Sequence, residues 1–168
     1  LTYDENQDHS SNPIYDADAS DQDTTDDITF SLGTDKDEDL LDIDPDTGEV
    51  TLRADADYET QSSYTFDVIA TDDGDGLLSA TQEITVNIND LNDDPVITSG
   101  AGAPVDENNT EIYTAAATDE DAGDNVILTL SGTDANKMTL DASTGIVTLN
   151  NAADYETQDS YDFILEAD

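Results

Sequence analysis

The residues with chemistry to offer are carboxylates, and they recur in a fixed order. Asp4-Glu5-Asn6 and Asp57-Tyr58-Glu59 return as Asp106-Glu107-Asn108 and Asp154-Tyr155-Glu156, and Asp90-Leu91-Asn92-Asp93-Asp94-Pro95 runs between the copies. Carboxylates at such short spacing, with side-chain amides and a loop ending in proline, form a set of hard oxygen donors. Ca²⁺ takes roughly six to eight oxygens in a flexible shell. The pattern therefore points to a tandem module stiffened by Ca²⁺ and exposed to the extracellular medium.

Composition narrows the classes further. The 168 residues include 43 acids and 3 bases, a net charge of −40. Phosphate backbones need Lys and Arg, so nucleic acid is not a partner on electrostatic grounds, and anionic membrane surfaces fail for the same reason. Cations remain. There is no cysteine, which excludes a disulfide framework and a thiolate metal site. No run of 18 apolar residues is present to span a bilayer. The first residue is Leu1, and the expectation is an internal piece of a longer exported polypeptide.

These carboxylates must be positioned by strands. Tyr64, Phe66, Val68 and Ala70 alternate with Thr65, Asp67 and Ile69, and Ile84, Val86 and Ile88 alternate with Thr85, Asn87 and Asn89. Period-two alternation marks a strand with one buried face. Shorter apolar runs at Ile28–Leu32, Leu40–Ile43 and Val50–Leu52 are separated by Asp- and Gly-rich turns. This patterning answers the disorder that so acidic a chain would otherwise suggest.

The same segments return about one domain later. Ser20-Asp21-Gln22-Asp23 matches Thr118-Asp119-Glu120-Asp121 at an offset of 98, and Asp46–Leu52 matches Ser143–Leu149 at 97. That period is too long for a solenoid unit of about 20–50 residues and suits tandem sandwiches. Residues 1–94 and 95–168 are the expected domains. The second copy has no counterpart of Thr81–Asn89, so its sandwich is expected to lack its last strand, with continuation beyond Asp168 as the expected remedy.

The ordered set resembles the cadherin repeat, in the variants found in bacterial surface proteins. The carrying motifs are Asp4-Glu5-Asn6, Asp21-Gln22-Asp23, Asp44–Gly48, Asp57-Tyr58-Glu59, Ala70-Thr71-Asp72 and Asp90–Pro95. The resemblance implies an all-β fold of tandem Greek-key, immunoglobulin-like β-sandwiches. It also implies about three Ca²⁺ between the repeats, held by oxygen donors. Ligands from the first repeat would be Glu5, Asp57 and Glu59. The linker would supply Asp90, Asn92 and Asp93, with backbone oxygens of Leu91 and Asp94. The second repeat would supply Asp119, Asp121 and the backbone oxygen of Asn125. Half-sites for further repeats would be Asp21, Asp23 and Asp72 at one end, and Glu107, Asp154 and Glu156 at the other. Two departures are visible: Asp94 stands where the family prefers Asn, and Pro95 follows it directly.

The resemblance implies a calcium-rigidified structural and adhesive repeat of a larger cell-surface or matrix protein. Its partners would be Ca²⁺, neighbouring repeats of the same polypeptide, other copies or cell-surface glycans. Strand exchange through an N-terminal tryptophan is not supported, because the chain has no Trp. Alternatives are a calcium-dependent carbohydrate-binding module and a passive spacer in a secreted multidomain enzyme. No enzyme is expected in the chain itself: His9 is the single histidine and no G-x-S-x-G elbow occurs. Among the remaining signals, Asp35–Asp39 reads as an exposed turn rather than an EF-hand, and Asp72–Gly76 as a hairpin turn. Asn108-Asn109-Thr110 fits a glycosylation sequon and carries little weight. Tyr58 and Tyr155 read as core residues.

Overall fold

A computed structural model of the chain describes residues 1–23 and 25–168. Two compact units form, Leu1–Leu91 and Asn92–Asp168. The first contains β1 (Thr2–Asp4), β2 (Tyr15–Asp16), β3 (Ile28–Leu32), β4 (Leu41–Ile43), β5 (Glu49–Leu52), β6 (Ser63–Asp72) and β7 (Ser79–Asn89). One sheet runs β1-β7-β6-β3 and the other β2-β5-β4. Hairpins join β4 to β5 and β6 to β7, while the chain crosses between sheets at β1–β2, β2–β3, β3–β4 and β5–β6. That order is a Greek-key sandwich.

Alternation sets which face is dry. Tyr64, Phe66 and Val68 of β6 and Ile84, Val86 and Ile88 of β7 are buried, together with Leu41, Val50 and Leu52 from the opposite sheet. The Tyr15 ring crosses between sheets and meets Phe66 edge-on at 6.1 Å. Burying a Phe or Ile side chain contributes about 1.5–3 kcal/mol, so this layer holds the unit together. Leu40, read from sequence as the start of a strand, instead closes a 3₁₀ turn at Glu38–Leu40.

Two local devices recur in both units. Asp44 accepts the amides of Asp46 (2.9 Å) and Thr47 (3.1 Å) through one oxygen, and Gly48 follows at φ +82°. Asp141 does the same for Ser143 and Thr144, before Gly145 at φ +73°. Left-handed backbone of this kind favours glycine. The second device corrects the reading of Asp35–Asp39 as an exposed turn. Asp37 accepts the Thr65 amide at 2.7 Å, and Glu38 is buried, taking the amides of Lys36 (2.6 Å) and Asp67 (3.1 Å). Burial alone would raise the Glu38 pKa; the Asp67 and Lys36 amides outweigh it and hold it below the ordinary value. In the second unit Asp134, also buried, accepts the Asp162 amide at 2.9 Å and meets Lys137 at 2.7 Å.

The second unit holds β8 (Val96–Ile97), β9 (Glu111–Thr114), β10 (Ala117–Thr118), β11 (Leu128–Ser131), β12 (Met138–Leu140), β13 (Ile146–Leu149) and β14 (Ile164–Ala167). Its sheets are β12-β13-β9, β11-β14 and β10-β8. Among the described residues no strand lies on the second edge of β14, the place β7 takes beside β6 in the first unit. The core is correspondingly smaller: Met138, Val147 and Leu149 are buried, whereas Tyr161 and Phe163 are only partly so. Tyr113 still meets Phe163 edge-on at 5.7 Å. Tyr155 is 67% exposed, which overturns its reading as a core residue; Tyr58, its counterpart, does pack against the first core.

Candidate metal centre

Each unit contributes its own carboxylates, and the first is built around Glu5. Strand β1 ends at Asp4, and the chain turns sharply because Asn6 adopts φ +61° and donates its amide to Ala56 at 3.0 Å. Asn108 repeats this with φ +67° and a 2.7 Å bond to Ala153. Asn tolerates left-handed backbone better than other side-chain-bearing residues. The third letter of the Asp-Glu-Asn triplet therefore aims the second.

Glu5 is 1% exposed. One carboxylate oxygen accepts the Tyr58 amide and the other the Leu91 amide, each at 2.6 Å. A single side chain thus ties the Asp57–Glu59 turn to the Asp90–Leu91 segment. Asp57 closes its own turn, taking the Thr60 amide and hydroxyl at 2.8 Å each. The Thr60 hydroxyl, then its amide, holds the Asp57 carboxyl below the usual range. Glu59 and Asp90 are exposed. Within this unit the buried Glu5 carboxylate therefore joins the turn that carries Asp57 and Glu59 to the segment that carries Asp90 and Leu91.

In the second unit the Asp93 amide donates to Asp121 at 2.7 Å, and the Asp121 amide donates to Asp119 at 3.1 Å. All three are half-buried. The Asn92 side-chain amide donates to the Asp93 carbonyl at 3.0 Å. Asp94 and Asn125 lie exposed on their loops.

The terminal sets are organised differently from one another. Asp21, Asp23 and Asp26 bring carboxylate oxygens within 4.8 Å of each other. Asp26 escaped the sequence reading; aligned at the same offset it stands opposite Asp124, in a loop whose second copy has glycine nearby. Asp72 is turned to a local task, accepting the Gly74 and Leu78 amides at 3.1 Å each to close the β6–β7 hairpin. That hairpin is where Asp72–Gly76 was read as a turn. Glu107, Asp154 and Glu156 are exposed, and Asp154 caps its turn through Thr157 as Asp57 does through Thr60.

A second mixed cluster lies in the first unit. His9 donates its backbone amide to Asp55 at 2.9 Å, and its Nδ1 sits 2.7 Å from the same oxygen. Asp8 completes a group with donor atoms within 4.8 Å of one another. No local spacing could have found this pairing, because 46 residues separate its members.

The donors of both units are carboxylate, amide and carbonyl oxygens, a set that fits Ca²⁺ and not the softer metals. Fold and donors together define a class: Greek-key β-sandwich modules with carboxylate-rich ends. Within it, the chain belongs to the cadherin family, since the family model for the Cadherin domain matches residues 2–89. Cadherin repeats are extracellular adhesion modules of cell-surface proteins.

Among relatives, the chain is 30% identical over 147 residues to human Protocadherin Fat 4, an alignment covering 83% of this chain and 3% of that protein. To human Protocadherin-11 X-linked it is 34% identical over 147 residues, covering 84% of this chain and 11% of the relative. It therefore spans a small fraction of the proteins it matches. Among solved structures, human Protocadherin-24 EC1-2 shares the fold with a TM-score of 0.60 at 20% identity, covering all of this chain and 88% of that one. Extracellular cadherin domains 3-6 of Protocadherin Gamma B2 give 0.57 at 25% identity, covering 99% and 40%.

Proposed function

We propose that this chain is a calcium-rigidified adhesion segment of a large cell-surface protein, comprising repeats at residues 1–94 and 95–168. Ca²⁺ binds between the repeats through Glu5, Asp57, Glu59, Asp90, Asn92, Asp93, Asp119 and Asp121, with backbone oxygens from Leu91, Asp94 and Asn125. The observation that carries this reading is Glu5, buried and clamped to both the Tyr58 and Leu91 amides. It fixes the linker against the Asp57–Glu59 turn, so donors from separate segments are held in register beforehand. Seven of the proposed ligands are carboxylates, and about three Ca²⁺ would bring their charge close to balance. A linker saturated with ligands loses the freedom of a flexible one. Assignment to the bacterial surface variant of the repeat rests on motif resemblance alone.

Calorimetric titration with Ca²⁺, followed by small-angle scattering, tests the proposal, with Mg²⁺ as control. Uptake of about three Ca²⁺, elongation on binding, and loss of both in Asp93→Ala are expected. Absence of stoichiometric uptake, or an equal response to Mg²⁺, would reduce the carboxylates to a solvated surface.

A further inference from the structure

Among the many carboxylates of this chain stands a single imidazole. The sequence has one histidine and no cysteine, so a metal that favours nitrogen or sulfur over oxygen finds its preferred donor only at His9. The fold brings that ring a carboxylate from 46 residues away. The His9 backbone amide donates to Asp55 Oδ1 at 2.9 Å, and Nδ1 lies 2.7 Å from the same oxygen. With an oxygen of Asp8, the three donor atoms lie within 4.8 Å of one another. Asp8 is held from behind: it accepts the Ser10 amide at 3.0 Å and the Ser10 and Ser11 hydroxyls at 2.6 and 3.0 Å. A carboxylate offers about four lone-pair positions, so both acids keep room for an ion. The chain's three bases are engaged elsewhere, Lys36 with Asp67 and Glu83, Arg53 with Asp42, and Lys137 with Asp134. With the imidazole neutral, two carboxylates thus face each other with no cation between them.

We propose that Asp8, His9 and Asp55 form a site for a divalent transition-metal ion of the Zn²⁺ type, separate from the calcium ligands. Nδ1 and one oxygen from each acid bind the ion. The His9 and Asp55 side chains are 35% and 60% exposed, so water fills the remaining positions. Ligand atoms about 2.0–2.2 Å from Zn²⁺ stand roughly 3–3.4 Å apart, and the Nδ1–Oδ1 pair needs to open only slightly. The neutral ring ligates through Nδ1 and carries its proton on Nε2. Ca²⁺ prefers an all-oxygen shell, whereas imidazole suits Zn²⁺, Cu²⁺ and Ni²⁺, so this site and the linker select different ions. Three protein ligands are fewer than the four of a structural zinc site, and binding is correspondingly weak and reversible. The bound ion staples the loop at 8–12 to the segment at 53–56, beside the bond from the Asn6 amide to Ala56. The inference stands whether or not the linker binds calcium.

Titration of the whole chain with Zn²⁺ in saturating Ca²⁺ is the test, read by calorimetry and by nitrogen-15 spectra of the imidazole. One saturable event is expected, in which Nδ1 shifts and the ring proton settles on Nε2. His9→Gln should abolish it. Loss of even an outer-shell partner costs a metal site about 10–100-fold, so Asp55→Asn should weaken uptake at least about tenfold. That variant keeps an oxygen for the His9 backbone amide, and amide spectra establish that each variant is folded. Asp18→Asn, an exposed acid elsewhere, should leave Zn²⁺ uptake unchanged, and none of the three should alter Ca²⁺ uptake. Absence of a saturable event would overturn the inference. So would Zn²⁺ uptake that leaves the imidazole signals unmoved or survives His9→Gln, since the ion would then sit on carboxylates alone.

Discussion

Glu5 joins three segments through two oxygens, so its removal should be felt in all of them. Glu5→Ala leaves the Tyr58 and Leu91 amides without their acceptor. An unsatisfied buried donor costs about 1–3 kcal/mol, and a loss of about 2–4 kcal/mol in urea unfolding is expected even in calcium-free buffer. Glu5→Gln, which keeps one acceptor oxygen, should lose about half as much. At Asp134, the Lys137 side chain and then the Asp162 amide lower the pKa from 3.8 to about 2. A depressed carboxylate stabilises fully above its unfolded value. Stability from Asp134 should therefore be intact above pH 3.8 and disappear as pH falls towards about 2. Asp134→Asn should remove that part of the acid transition, which thermal melts across this window can follow. Residue roles of this kind were half legible in sequence. The recurring carboxylates were visible, but burial of Glu38 and the pairing of His9 with Asp55 depend on contacts between distant segments.

Elements divide by length in how clearly they announce themselves. Strands β6 and β7 have ten and eleven residues, enough for alternation to repeat several times. Strands β2, β8 and β10 have two residues each, too few for any period; β2 forms because the longer β5 offers it an edge, whereas β8 and β10 pair with each other. Turns were legible where chemistry repeats, as at Asp44–Gly48 and its second copy. There the structure adds a reason for glycine beyond φ: a Cβ on Gly48 would sit 2.6 Å from the Ala17 carbonyl oxygen, and one on Gly145 would collide with that of Ala115. Gly48→Ala and Gly145→Ala should each destabilise their own unit by about 1–2 kcal/mol or more. Gly100→Ala, where a Cβ meets nothing within 4 Å, is the matched control, and denaturant midpoints compare them. The left-handed Asn6 and Asn108 belong to the same category. Their signal was present in the triplet, and only backbone geometry explains why the third residue is Asn.

At the scale of the whole molecule, net charge is the dominant variable. A charge of −40 destabilises the compact state through self-repulsion, so added NaCl should raise the melting temperature of the calcium-free chain. Saturating Ca²⁺ should shrink that salt dependence by neutralising the junction. Calorimetric melts in NaCl series with and without Ca²⁺ would expose a different outcome, since identical slopes would separate the repulsion from the proposed ligands. The family was legible at this scale because the motifs recur in fixed order.

The pairing of β1 with β7 is parallel, Thr2 to Asn87 through Asp4 to Asn89, and these strands lie at opposite ends of the first unit's sequence. Tension applied along the polypeptide would pull the two past each other lengthwise. Their cross-links are then loaded together, in shear, whereas an antiparallel pair pulled from one end opens bond by bond. The strand that begins the unit and the strand that ends it thus form a mechanical clasp. A segment anchored at one end and tugged at the other would yield last where its first and last strands meet.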